Sequence, residues 1–157
     1  LGKTSGKIAD LFCGVGTFSY PLAQKPGNRV LAVDASKELL EGFKNSVNRQ
    51  MIANIEIVCR NLFKYPLEGA ELEGLAAVVF DPPRAGAKEQ AARLAALPAG
   101  KRPRKLIAVS CNPETFARDA EILQNGGYRL CEVTPVDQFV YTSHCELVAL
   151  FVDEGLL

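Results

Sequence analysis

The chain has no net charge, no apolar run long enough to cross a membrane and no C-x-x-C pair, and each absence removes a class of protein. Eighteen lysines and arginines stand against eighteen aspartates and glutamates in 157 residues. The domain as a whole is therefore not a polycation built to grip phosphate backbones, and nucleic-acid contact would need a local patch or another domain. No stretch approaches the ~20 apolar residues of a membrane span, and no basic-then-apolar leader opens the chain, so the expected setting is cytoplasmic with no membrane partner. Cys13, Cys59, Cys111, Cys131 and Cys145 are an odd number without metal-ligand spacing. That argues against a complete disulfide framework and a zinc knuckle; free thiols and no metal are expected. Internal repeats, low-complexity tracts and linkers are missing too. What remains, 48% hydrophobic and 23% charged, suits one globular domain over residues 1–157 that buries roughly 70% of its unfolded surface.

Short apolar runs with β-branched content recur at IADLF (8–12), RVLAVD (29–34), IEIVC (55–59), LAAVVFD (75–81), KLIAVS (105–110), YRLCEVT (128–134) and ELVALFV (146–152). They predict seven strands. SKELLEGFKNSVNRQM places Leu39, Leu40, Phe43 and Val47 on one helical face, and PETFARDAEILQNGG places Phe116, Ala120 and Leu123 on another before a Gly126-Gly127 stop. The first five runs are near-continuously apolar, which implies cover on both faces, as in a parallel doubly wound sheet. About a dozen residues join the last two runs, without room for a crossover helix, so an antiparallel hairpin at one edge is expected. The predicted class is α/β: a doubly wound, Rossmann-like, seven-stranded and mostly parallel sheet with an antiparallel last strand. The basic loop AGKRPRK (99–105) reads as a solvated turn.

In such sheets ligands sit beyond the carboxyl ends of the strands, where a glycine-rich first turn lets backbone approach them. Gly14 and Gly16, in DLFCGVGTFSYPLA (10–23), fit that use. Ser19 stands where a dinucleotide fingerprint wants its third glycine, so a ligand without pyrophosphate becomes plausible. Asp34 closes the second predicted strand, 20 residues beyond Gly14, where a carboxylate can accept both hydroxyls of a ribose. The plainer reading is a tight turn and a helix cap; the two features in register favour a nucleoside-type cofactor.

Asp81 follows a buried strand in VVFDPPRAGA (78–87), and Pro82 and Pro83 stiffen its exit toward the same rim. Cys111, in VSCNPETFARD (109–119), also ends a strand, with Asn112 and Pro113 as N-cap and first-turn proline of the next helix. The positive end of that helix favours a thiolate. Cys59 and Cys131, inside strands, read as small hydrophobes, and Cys13 lies in the cofactor turn. His144, the sole histidine, and Glu146 open the last strand. Glu146 reads equally as a base facing the site or a solvated edge residue, and His144 equally as a site group or a structural hydrogen-bonder.

Taken in order, DLFCGVGTF, VD, RNL, DPPRAG, SCNPETFARD and FVYTSHCE resemble the S-adenosylmethionine-dependent RNA (uracil-5-)-methyltransferase family over nearly the whole chain. The resemblance implies a class I methyltransferase domain that uses S-adenosylmethionine to make 5-methyluridine in ribosomal or transfer RNA, ribosomal RNA being preferred. It implies Cys111 as nucleophile and Glu146 as general base. Phe12, Thr17, Asp34, Asn61 and Asp81 match positions around the cofactor and target base, with Asp81 shared between them, and Phe139 or Tyr141 would pack against a flipped-out uracil. Val140 and Tyr141 stand where the family pattern has proline and histidine. Members also carry a separate RNA-binding domain, so the chain is expected to be the C-terminal, catalytic part of a longer protein. A methyltransferase of another substrate class, such as an amino-group methylator using the DPP turn, a thiol hydrolase pairing Cys111 with His144, and a cofactor-binding domain without activity are the alternatives.

Overall fold

The computed structural model of the chain describes residues 5–137 and 145–156. Phe139, Tyr141 and His144 lie outside the described residues. All seven predicted strands form: β1 (Lys7–Leu11), β2 (Arg29–Asp34), β3 (Ile55–Cys59), β4 (Leu75–Phe80), β5 (Lys105–Ser110), β6 (Tyr128–Val136) and β7 (Glu146–Asp153). They make one sheet in the order β3-β2-β1-β4-β5-β7-β6. The pairs from β3 through β5 are parallel, and β7 runs antiparallel to both β5 and β6. The chain leaves β1 toward β2 on one side and returns to β4 on the other, so β1 and β4 flank the topological switch point where open α/β sheets hold ligands.

Among the described residues, four α-helices accompany the sheet: α1 (Ser19–Ala23), α2 (Lys37–Arg49), α3 (Lys88–Ala95) and α4 (Pro113–Asn125). Helix α2 starts where Ser36 Oγ accepts the Leu39 N–H, and α4 starts where Asn112 Oδ1 accepts the Glu114 N–H, with Pro113 in the first turn. Leu40, Phe43 and Val47 are the buried face of α2, whereas Leu39, expected with them, is 43% exposed. One residue is about 100° of helix, so the stripe through Leu40 leaves Leu39 turned outward. In α4, Ala120 and Leu123 are buried and Phe116 is half-buried against the core, its ring beside Phe151.

Helices α3 and α4 cover one face of the sheet, where Ala91, Leu94, Ala120 and Leu123 join Leu11, Val78, Phe80, Leu106 and Phe151 in the largest core cluster. On the other face Leu22 of α1 packs on Ile8, Val30, Ala77 and Val79, and Leu40, Phe43 and Val47 of α2 pack on Ala32. The expectation of cover on both faces fails at β3 and β5. No residue of β3, an edge strand, is fully buried, and β5 alternates between buried Leu106, Ala108 and Ser110 and half-buried Ile107 and Val109. Cys59 and Cys131 are both exposed rather than packed as small hydrophobes. Cys59 ends the edge strand, and Cys131 is the extra residue of a bulge where the register passes from Leu130↔Phe151 to Glu132↔Leu150.

Candidate active site

At the carboxyl end of β1, Phe12 takes a left-handed conformation with φ 61°. A non-glycine residue held there stores strain of about 1–2 kcal/mol, which surrounding structure must over-determine. Here the Cys13 N–H is bonded to the Val33 carbonyl at 3.1 Å, and the Gly14 N–H to Asp34 Oδ2 at 2.9 Å. The other oxygen of Asp34 accepts the Ser36 N–H at 2.8 Å. Asp34 thus ties the first turn to the start of α2 and still lines a cleft of ≈ 290 Å³ with Phe12, Leu62, Phe63 and Asp81.

The two glycines divide their work. A side chain on Gly14 would meet nothing within 4 Å, so its backbone faces open space. A Cβ on Gly16 would fall 2.3 Å from the Phe43 ring, so that glycine exists to let α2 pack against the turn. Thr17 is exposed beside it. Asn61 is half-buried and uses Oδ1 to accept the Phe63 and Lys64 N–H groups at 3.0 and 3.2 Å. The same turn presents Phe63, 44% exposed, with its ring 5.4 Å from that of Phe12. The pair makes an aromatic wall that no sequence pattern singled out.

Asp10 was not anticipated either. It is fully buried beneath the turn; Ser19 donates to its Oδ2 at 2.5 Å, and its Oδ1 has no partner. Ser19 therefore fills the third-glycine position as a hydrogen-bond donor to the strand below. Burial, opposed by the Ser19 hydroxyl and reinforced by the charges of Asp81 and Asp34, raises the Asp10 pKa to about 6. Burial also pushes the Cys13 thiol up, with the Asp10 and Asp34 charges adding to it, which keeps that thiol protonated and inert. Asp34 and Asp81 give the rim a negative cast, with buried Asp10 and its orphan oxygen beneath them. Those acceptors repel a pyrophosphate and fit a nucleoside carrying positive charge.

Farther along the rim a cleft of ≈ 750 Å³ opens between α1 and the half-covered face of β5 and β7. Phe18, Pro21, Val79, Ile107, Val109 and Val148 form its apolar walls, and Asp81, Cys111 and Glu146 all line it. The strands dictate this convergence. Residues 79 and 81 share one face of β4, 107, 109 and 111 continue one face of β5, and the antiparallel register that pairs Ser110 with Leu147 puts Glu146 opposite Cys111 on the next rung. Cys111 is half-buried immediately before the N-cap of α4. The Asp81 carboxyl is pushed upward, first by its partial burial and then by the Glu146 charge. A thiol, two carboxylates and apolar walls thus share one cavity, and Asp81 lines both this cavity and the smaller cleft beside Asp34.

An open α/β sheet of this order is the architecture of solved methyltransferases. The fold is similar to magnesium protoporphyrin IX methyltransferase from Synechocystis with bound S-adenosylmethionine, at a TM-score of 0.71 and 20% identity over 96% of this chain and 72% of that one. The sequence matches the tRNA (Uracil-5-)-methyltransferase family over residues 1–153, and the chain belongs to that family. It is 48% identical over 151 residues to an uncharacterized RNA methyltransferase of Brucella suis, covering 96% of this chain and 35% of the relative. It is 40% identical over 147 residues to the 23S rRNA (uracil(1939)-C(5))-methyltransferase RlmD of Pseudomonas entomophila, covering 92% and 31%. The chain therefore spans about a third of the length of the curated relatives it matches.

Proposed function

We propose that this chain is the catalytic domain of an RNA methyltransferase that transfers a methyl group from S-adenosylmethionine to C5 of a uridine, by way of a covalent bond between Cys111 and C6. The observation that carries the reading is the shared cleft of Cys111, Glu146 and Asp81. Uracil C5 is a weak nucleophile. Addition of the Cys111 thiolate to C6 forms the Sγ–C6 bond and moves the C5=C6 electrons toward O4, giving C5 carbanion character. S-adenosylmethionine supplies, when bound, an electrophilic methyl group on a sulfonium. After C5 has gained its methyl, Glu146 takes the C5 proton, the C5=C6 bond re-forms and the thiolate leaves.

The cationic cofactor suits the acidic rim. Asp34 is placed to accept the ribose hydroxyls, the backbone at Gly14 leaves room for close approach, and Phe12, Thr17 and Asn61 surround the nucleoside, with Gly16 shaping the turn. Asp81, common to both clefts, serves cofactor and uracil together. A base inside a stack cannot reach this slot, so the target uridine must be unpaired or flipped out. The proposed substrate is 23S rRNA rather than tRNA, in keeping with the substrate of the RlmD relative. Neutral net charge and coverage of only a third of the relatives support placing much of the RNA affinity in an additional RNA-binding domain. RNA containing 5-fluorouridine tests the chemistry, because fluorine at C5 cannot leave as a proton. The intact protein should form a denaturant-stable, methylated adduct that C111A does not form; an active enzyme yielding no adduct would overturn the mechanism.

A further inference from the structure

The loop from Pro82 to Ala87 belongs to no helix or strand, yet α4 and its N-cap hold it at the backbone of three residues, Arg84, Ala85 and Ala87. Thr115 Oγ1 and Asn112 Nδ2 both donate to the Arg84 carbonyl, at 3.1 and 3.2 Å, the single Thr115 hydroxyl proton being shared with the Asn112 carbonyl at 3.2 Å. Arg118 Nη2 donates to the Ala85 carbonyl at 2.9 Å, and the Ala87 N–H donates to Asp119 Oδ2 at 2.6 Å. The spacing 112, 115, 118 and 119 is that of one helical face. Asp119 is buried, and its second oxygen fixes Arg118 through Nη2 at 2.7 Å. Gly86 makes the fit possible: at φ 77°, a Cβ there would lie 2.6 Å from both Arg118 Nη2 and Asp119 Oδ2.

These contacts differ in what they can be for. Asp119 accepts the N–H of Ala87, the N-cap of α3, which has no side-chain cap of its own, so it anchors the start of a helix. Thr115 and Arg118 instead bind carbonyls of a segment with no regular structure, three and four residues beyond Asp81. Their helix starts two residues after Cys111, and Ser110 Oγ ties that turn down by accepting the Asn112 N–H at 3.2 Å. Hydrogen bonds through α4 thereby link the Asp81 loop to the Cys111 turn.

We infer that Thr115 and Arg118 are positioning residues for the methyl transfer: they set the spacing between the Asp81 carboxyl and the Cys111 thiol, which must engage the same rigid pyrimidine. This rests on the uracil reading above. A displacement near 1 Å in such an arrangement costs about 100-fold in rate.

The test uses the intact protein, S-adenosylmethionine at saturation and RNA containing 5-fluorouridine, and reads the single-turnover rate of adduct formation beside RNA affinity and thermal midpoint. T115V/R118M is expected to react about 30-fold more slowly with RNA affinity within about twofold, and T115S/R118K, which restores both donors, to recover to within about threefold of wild type. Wild-type speed in T115V/R118M would overturn the inference, as would equal slowing in the conservative pair or a loss that only follows the fraction unfolded. A wild-type protein that forms no adduct would remove the uracil reading, and this inference with it.

Discussion

At the β1–β2 end of the rim, every turn is over-determined: Phe12 is held left-handed, Gly16 is pressed against Phe43, and both oxygens of Asp34 are bonded to backbone. At the β5–β7 end, Cys111, Glu146, Val109 and Val148 are half-buried around an open slot, and the constraint comes from α4 behind it. A small cofactor that returns every cycle is best met by a preformed cradle, because preorganisation lowers the ordering entropy lost on binding. A base that must swing out of RNA needs room to enter, and only the reacting groups must be fixed. The difference separates the two halves experimentally.

The largest expected effects are reciprocal. C111A should lower methylation by at least about 1,000-fold while leaving S-adenosylmethionine affinity within about twofold. D34A should weaken cofactor binding at least about tenfold, because it removes the proposed ribose acceptor and leaves the Gly14 and Ser36 N–H groups unpaired. Calorimetry with the cofactor and single-turnover assays on both variants decide the matter; a C111A protein that loses cofactor binding as strongly as D34A would dissolve the distinction between the halves.

A second contrast lies within the cradle. G16A drives a methyl group into Phe43 from a left-handed backbone and should cost about 3–5 kcal/mol in denaturant unfolding. G14A meets open space and should cost only about 1–2 kcal/mol of backbone strain, while hindering the cofactor. Equal losses in the two would mean that Phe43 yields.

A further expected effect is in pH. The Asp10 carboxyl, raised by burial to about 6, binds its proton more tightly folded than unfolded, so stability is greatest below the unfolded pKa near 4 and declines as pH rises through about 6, by about 2–3 kcal/mol in all. D10N should flatten that decline between pH 4 and 6.5 in thermal melts. A D10N protein whose stability changes with pH over that window just as the wild type's does would contradict the assignment to Asp10.

Much of this was legible in the sequence, for physical reasons that also mark where legibility stops. Strands such as 29–34 and 105–110 announce themselves because apolar β-branched runs bounded by turns have few other uses. Helix α3 does not: its eight residues are short, and the group that holds the N–H of its N-cap residue, Ala87, is Asp119, 32 positions away. Exposure of Cys59 and Cys131 depended on which strand became an edge and where a bulge fell, both properties of the assembled sheet. Asp34 and Cys111 carried local signals, a carboxylate closing a strand and a thiol before a helix cap. Asp10, Phe63, Thr115 and Arg118 carried none, since their roles exist only against partners brought in by the fold.

The central claim is that Cys111 and Glu146 act in sequence on one uridine. It is tested most directly by trapping the intact E146Q protein on ordinary uridine-containing RNA with S-adenosylmethionine carrying a labelled methyl group, then mapping the adduct by mass spectrometry. With the C5 proton retained, the Sγ–C6 bond should persist, and the Cys111 peptide should carry a nucleotide bearing the labelled methyl. Free methylated RNA released at the wild-type rate, or label linked to any other cysteine, would contradict the account.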